Sequence, residues 1–272
     1  MKYLAGSLYP VLLVLIAVVL WNNTAIRSTI KENKKSILVF LFLNFVIINI
    51  LLFFHLRQEQ FIAYWDFGGF WRKSVEFNQM MNRSVKEAMD NLWFSLNYSE
   101  YSFLPEWFLY FPTQLLGNTY PRFILAMFNS FILPANLILY IFSLMIIKKN
   151  KLTVKKVFLG MLIATFAGNL YSMVFGYIGS AGLPFITSVL LLVYADGLEK
   201  FSWKNNIFIG LSMIILLLVR RWFAYWIVGF YVAYTLAYLI REGIDHALTK
   251  EKIKVQFLNM LVCGLIPLTI LL

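Results

Sequence analysis

The stretch Ser36-Ile-Leu-Val-Phe-Leu-Phe-Leu-Asn-Phe-Val-Ile-Ile-Asn-Ile-Leu-Leu-Phe-Phe54 decides how the chain is read. It is 19 residues long and carries no charge. As an α-helix it would reach about 28 Å, the thickness of a bilayer's hydrocarbon core. Similar runs lie on both sides of it, at Tyr3–Trp21, Phe123–Ile147, Val157–Tyr177, Leu183–Gly197, Ile207–Val219, Trp222–Ile240 and Val255–Leu272. The fifth and sixth are short; polar turns bracket them, and the next span could not otherwise cross. Composition agrees with the pattern. Hydrophobic residues are 61% of the 272 and charged residues 14%, against about half and about a quarter in ordinary soluble domains. The expected fold is an all-α, polytopic transmembrane bundle of about eight spans, forming a single domain over residues 1–272.

Orientation follows from the cations. Arg27, Lys31, Lys34 and Lys35 follow the first span, and Lys148, Lys149, Lys151, Lys155 and Lys156 follow the third. Lys200 and Lys204 follow the fifth, and Arg241, Lys250, Lys252 and Lys254 follow the seventh. Fifteen of the 24 cations thus fall in four alternate segments, which the positive-inside rule assigns to the cytoplasm. Much of the +11 net charge is therefore a topological signal, and it does not imply nucleic-acid binding. The N-terminus and the segment His55–Arg122 are then expected outside. Met1-Lys2 before an apolar run also fits a signal peptide, but no small-residue cleavage site precedes Trp21 and the next segment is basic. An N-out first helix is the better expectation. Cys263 is the only cysteine, so there is no disulfide framework and no cysteine metal cluster. The chain stops inside its last apolar run, at Leu271-Leu272, which raises the expectation of a C-terminal truncation.

The 68 residues from His55 to Arg122 are the longest polar stretch, and their many aromatic residues argue against disorder. They hold seven acids (Glu59, Asp66, Glu76, Glu87, Asp90, Glu100, Glu106) and six cations. Asp66 sits among Tyr64, Trp65, Phe67, Phe70 and Trp71, a setting that raises a carboxyl pKa toward the range of a general base. It has a second reading as the N-cap of the helix that follows. That helix is amphipathic, with Phe70, Phe77, Met81, Val85, Ala88 and Leu92 at helical spacing. It fits both an interfacial helix and a cap on the bundle. The proline-punctuated stretch Leu104–Leu116, which contains Glu106, reads as a second interfacial or a re-entrant helix. Tyr64, Trp65, Trp71, Glu106 and Trp222 are the candidate substrate-binding side chains.

Arg220-Arg221-Trp222 lies between the sixth and seventh spans, with no carboxylate near it in sequence. On the expected topology the two arginines face outward, against the positive-inside trend. Paired guanidinium groups suit a phosphate, which they grip bidentately; snorkelling to lipid headgroups is the plainer alternative. A continuous helix through Ile207–Ile240 would bury both in hydrocarbon at a cost of several kcal/mol. Asp196 beside Glu199 and Lys200 reads as a local ion pair, and His55 and His246 as isolated surface residues. Asn82-Arg-Ser84 and Asn97-Tyr-Ser99 match the glycosylation sequon.

An acid just after a span, at the start of a long first outer loop, resembles the GT-C class of integral-membrane glycosyltransferases. The stretch Asn97-Tyr-Ser-Glu-Tyr-Ser-Phe-Leu-Pro105 and the turn Leu218-Val-Arg-Arg-Trp-Phe-Ala-Tyr-Trp226 are further points of similarity, in the manner of bacterial cell-envelope members. The resemblance covers roughly Ser36 to Leu272. It implies a multi-pass protein of the bacterial cytoplasmic membrane that takes a sugar from a polyprenyl-phosphate carrier and transfers it, outside, to a glycan or envelope-polymer acceptor. By position, Asp66 matches the catalytic base, and Arg220 and Arg221 match cations that hold the carrier phosphate. No cofactor and no nucleic acid are implied. The second outer loop, Tyr177-Ile-Gly-Ser-Ala-Gly-Leu-Pro-Phe185, lacks the acid that many members carry there, which disfavours a metal-assisted variant. The competing expectations are a transporter or lipid-linked-sugar flippase, which would place acids or broken helices at mid-membrane, and a non-catalytic envelope-assembly protein.

Overall fold

The computed structural model of the protein describes residues 6–58, 66–150, 153–175, 178–196, 201–244 and 249–271. They form α1 (Leu8–Asn22), α2 (Thr24–Glu32), α3 (Lys34–Gln58), α4 (Asp66–Arg83), α5 (Val85–Tyr98), α6 (Leu104–Leu116) and α7 (Tyr120–Met127). A π-helical turn (Phe128–Ile132) leads into α8 (Leu133–Asn150) and α9 (Val154–Phe175). After a 3₁₀ turn (Ile178–Gly182) come α10 (Leu183–Asp196), α11 (Trp203–Val219), α12 (Phe223–Ile244) and α13 (Lys250–Leu271). No strand occurs among the described residues; one isolated antiparallel bridge joins Tyr101 to Arg220.

Among the described residues four helices are long and apolar enough to cross a membrane: Lys34–Arg57, Tyr120–Ile147, Phe223–Ile244 and Lys250–Thr269. A fifth is counted if α1 and α2, bent by 93°, are taken as one span. Gly179–Ala195 and Trp203–Val219 are apolar but shorter. The ends of the expected runs at Tyr3–Trp21, Val157–Tyr177 and Leu183–Gly197 reach outside the described residues.

One connection expected to be a loop is helical, and the helices expected in the long polar segment are present but differently divided. The basic segment after the first run forms α2, because Asn23 adopts extended backbone and its side chain accepts from the Ala25 and Ile26 amides. That cap starts a new helix at a sharp angle, and α2 buries Ile26 and Thr29 as it packs on α8. Between α3 and α7, the described part of His55–Arg122 is occupied by α4, α5 and α6. The amphipathic helix expected from Phe70 to Leu92 is two helices. Ser84 separates them in extended conformation and caps α5 by accepting from the Glu87 amide. Phe70, Phe77, Met81, Ala88 and Leu92 are buried, as their spacing indicated.

α8 lies at the centre, in contact with α2, α3, α9 and α10. Inside so apolar a bundle, polar side chains hold the helices together by bonding to each other. Asn44 of α3 donates to Thr165 Oγ1 of α9 (3.1 Å) and accepts from Asn136 Nδ2 of α8 (3.1 Å). Asn49 and Asn129 exchange two bonds, at 2.9 and 2.8 Å. Asn206 of α11 donates to Asn259 of α13 (2.7 Å) and accepts from the Cys263 thiol (3.3 Å). Such contacts average about 0.6 kcal/mol each in membrane proteins, so they act mainly to select register and partner.

The π turn has a clear cause. Pro134 has no N–H, so the carbonyl four residues back, that of Ser130, loses its helical donor and would clash with the proline ring. The helix widens over Phe128–Ile132, and the Tyr9 hydroxyl of α1 donates to the Ser130 carbonyl at 2.9 Å. Tyr9 also packs its ring on Phe108 and Phe131, at 4.8 and 5.2 Å between centroids. Tyr9→Phe should keep the ring contacts and strand the carbonyl, costing about 1–3 kcal/mol in detergent melts. Pro134→Ala restores an N–H for that carbonyl. The double variant is therefore expected to lose less than Tyr9→Phe alone.

Candidate functional site

The short segment between α5 and α6 meets the turn between α11 and α12. Three local features shape this junction. Ser102 Oγ donates to the Leu218 carbonyl (2.5 Å) and accepts from the Leu104 amide, tying the start of α6 to the end of α11. Ser95 Oγ accepts from the Phe103 amide (2.9 Å) and bends the chain off α5. Pro105 is tolerated in the first turn of α6, where an N–H would have no helical acceptor. On the other side α11 ends at Val219, Arg220 is extended, and Arg221-Trp222 turn the chain into α12. The break between α11 and α12 rules out a single helix through the arginines.

Tyr101 is the hub. Arg220 Nη2 donates to its hydroxyl at 2.8 Å, and the guanidinium carbon stands 4.7 Å from its ring centroid and 5.3 Å from that of Trp222. Lys73 of α4 donates Nζ to the Tyr101 carbonyl at 2.7 Å and lies 5.1 Å from the Phe103 ring. Phe70, three residues before Lys73, meets the Tyr101 ring edge-on at 5.3 Å. Glu100 Oε1 comes to 3.9 Å of Arg220 Nη2, so the carboxylate missing from the arginine's own neighbourhood in sequence is supplied by the fold. The Arg220 side chain is only 16% exposed.

Glu106 stands in the first turn of α6 and is 1% exposed. Its Oε2 is buried and has no hydrogen-bond partner. Burial pushes its carboxyl up to about 8; Lys73 and a backbone hydrogen bond pull the other way, and Glu76 adds to the rise. Near neutrality Glu106 therefore holds its proton. A neutral acid is how a carboxyl accommodates burial without an ion partner. Ser180, on the 3₁₀ turn that packs on α6, likewise has a buried hydroxyl without a partner.

The candidates from the sequence fall into different places. Arg220 joins Lys73 at the hub. Arg221 diverges: it is exposed, and its Nη2 donates to the Asn97 carbonyl at the end of α5. Trp222 is exposed beside Arg220. Trp71 serves packing, donating Nε1 to the Asn118 carbonyl (2.9 Å) and meeting Tyr120 at 5.8 Å. Gly117 (φ 99°) permits the turn that brings Asn118 beneath α4, where its side chain also accepts from Asn78 at 2.8 Å. Asp66 opens α4, but its side chain, and Tyr64 and Trp65 altogether, lie outside what the structure describes. The same holds for the side chain of Asp196 and for His246. Among the described residues no three His, Cys, Asp or Glu side chains stand close enough to hold a metal ion.

Sequence reasoning missed Lys73 and Tyr101. Lys73 carries a signal in retrospect, since Asp66, Phe70 and Lys73 recur at helical spacing and share a face of α4. Tyr101 carries none, because its role depends on a partner 119 residues away. Arg220 and Lys73 meet at Tyr101, with the Glu100 carboxylate 3.9 Å from Arg220 and neutral Glu106 within the electrostatic reach of Lys73, a group that can attract an anion and hold or release a proton. Comparison with known protein families, curated proteins and solved structures yields no match.

The Glu106 proton makes stability depend on pH with a definite sign. The folded chain holds it up to about 8 and the unfolded chain only to the ordinary value of 4.5. Glu106 therefore contributes stability at acid pH that is lost as pH rises through that window. Melting temperatures across the window should fall more steeply for the wild type than for Glu106→Gln.

Proposed function

We propose that the chain is a membrane-embedded glycosyltransferase that moves a sugar from a polyprenyl-phosphate carrier to an envelope acceptor on the outer face. In this reading the bundle has eight spans, with the four cation-rich segments in the cytoplasm and α4–α6 outside. The observation that carries it is the meeting at Tyr101. Arg220, from the turn between two apolar helices, and Lys73, from the helix that Asp66 opens, reach one residue. A cationic pair at the rim of a membrane bundle suits a phosphate whose lipid tail stays in the bilayer.

The chemistry then has few parts. Asp66 accepts the proton of an acceptor hydroxyl, whose oxygen attacks the anomeric carbon. The bond from that carbon to the phosphate oxygen breaks, and the lipid phosphate departs with the electron pair. Arg220 and Lys73 stabilise the developing charge, with Arg221 and Trp222 at the entrance. Tyr64 and Trp65 complete the set expected to surround the sugar, whereas Glu106 is buried in α6 and is not exposed to it. No nucleotide is needed, because the lipid carrier supplies both leaving group and tether.

A proton-coupled carrier is the second reading. It is favoured by one observation, the buried Glu106 carboxyl, whose Oε2 has no hydrogen-bond partner and which is protonated near neutrality. The test is transfer of radiolabelled sugar from polyprenyl-phosphate donors by the protein in proteoliposomes. Asp66→Asn is expected to abolish transfer while folding is retained, and Arg220→Lys to raise KM for the donor more than it lowers kcat. Undiminished transfer in Asp66→Asn would remove the base. Proton uptake on solute addition without any transfer would favour the carrier.

A further inference from the structure

α5 changes character along its exposed face. Lys86, Asp90 and Asn91 are exposed in its first two turns, and Arg83 pairs with Glu87 just before and within it (3.3 Å). From Trp93 onward the exposed residues are mainly aromatic, Trp93 (70% exposed), Phe94 and Tyr98 (75%), with Asn97 the one polar exposed side chain, its Nδ2 donating back to the Trp93 carbonyl. Phe94 and Tyr98 touch, with centroids 4.9 Å apart. Lys86 and Tyr98 stand about 18 Å apart along the axis. The other side of the helix, at Ala88, Leu92 and Ser95, is buried against the protein.

The aromatic end is also the end that is fixed to a spanning helix. Arg221 donates to the Asn97 carbonyl, one residue from Tyr98, and the Tyr101–Arg220 bridge follows four residues later. Both contacts are made at the head of α12, which is long and apolar enough to span a membrane and is mostly exposed along its length. Trp222 and Tyr225 are exposed there, with Val228 and Val232 exposed further along the same helix. Trp, Tyr and Arg above aliphatic residues are the composition of a membrane–water boundary.

We infer that the C-terminal half of α5 is seated in the lipid interface beside the head of α12, with its charged N-terminal half in water. The occupant of the aromatic face is the bilayer itself. Trp93, Phe94 and Tyr98 enter the headgroup–acyl boundary, and Arg221, exposed between them and Trp222, meets the lipid phosphates. This holds α4–α6, and the Tyr101 cluster with them, at headgroup height. The inference stands whether or not the chain transfers sugar.

Spin labels test it on the full chain in vesicles of phosphatidylcholine and phosphatidylglycerol. Single labels go on Phe94→Cys, Tyr98→Cys, Lys86→Cys and, as a lipid-facing reference, Val228→Cys; Cys263 is buried, and unmodified chain serves as the label control. All four positions are exposed, so the fold should persist. Labels at 94 and 98 are expected to collide with oxygen several-fold more than with a water-soluble nickel chelate, as at 228, and the label at 86 to show the reverse. Nickel-dominated collisions at 94 and 98 would overturn the inference by placing the face in water. Exclusion of both reagents would overturn it too, by showing a protein partner or a second copy on that face.

Discussion

In an apolar bundle a polar side chain must find its partners among other side chains and backbone carbonyls, and much of this architecture answers to that constraint. Asn44, Asn136 and Thr165 join α3, α8 and α9; Asn49 and Asn129 join α3 to the π turn; Asn206, Asn259 and Cys263 join α11 to α13. Pro134 creates the same problem on the backbone, and Tyr9 answers it from another helix. Each solution fixes one helix's rotation and height relative to a neighbour, which apolar contact alone does weakly. Glu106 departs from this pattern, as Ser180 does on the turn beside it. Its Oε2 lacks a partner, and the carboxyl keeps its proton instead.

That exception lies where two remote parts of the chain are forced together. The α5–α6 segment and the end of α11 with its following turn share one bridge, the Ser102–Leu218 bond, the Arg221–Asn97 bond and the Arg220–Tyr101 contact. The junction brings Lys73 and Arg220 to Tyr101, between the start of α6 and the turn that joins α11 to α12. It also separates neighbouring arginines. Arg220 turns inward onto rings that offset its desolvation, whereas Arg221 remains exposed and bonds to a carbonyl.

Some of this was legible early. Apolar runs located the long helices, and the spacing of Phe70, Phe77, Met81, Ala88 and Leu92 identified the buried face of α4 and α5. The basic segment at Thr24–Glu32 was not read as a helix, since its start depends on Asn23 turning its side chain back onto two amides. Nor was the division at Ser84 seen, because the apolar period runs on across it while the backbone does not. At the site, Arg220 and Arg221 are the cations that the expected topology does not explain, and Glu106 is legible only as one of several candidate substrate-binding side chains. Lys73 does not stand out, being one cation among several in a nearly neutral segment.

What the sequence determined by itself is that the chain is helical and where its long apolar helices lie, because hydrophobic length and period are local properties that survive any arrangement. It also determined the uneven distribution of cations. The tertiary structure alone decided which polar groups became partners: Glu100 and Tyr101 for Arg220, Asn97 for Arg221, Tyr9 for a carbonyl 121 residues away. Hydrogen bonds and ring contacts act over a few ångströms. Only the packed chain sets which distant residues come within that reach.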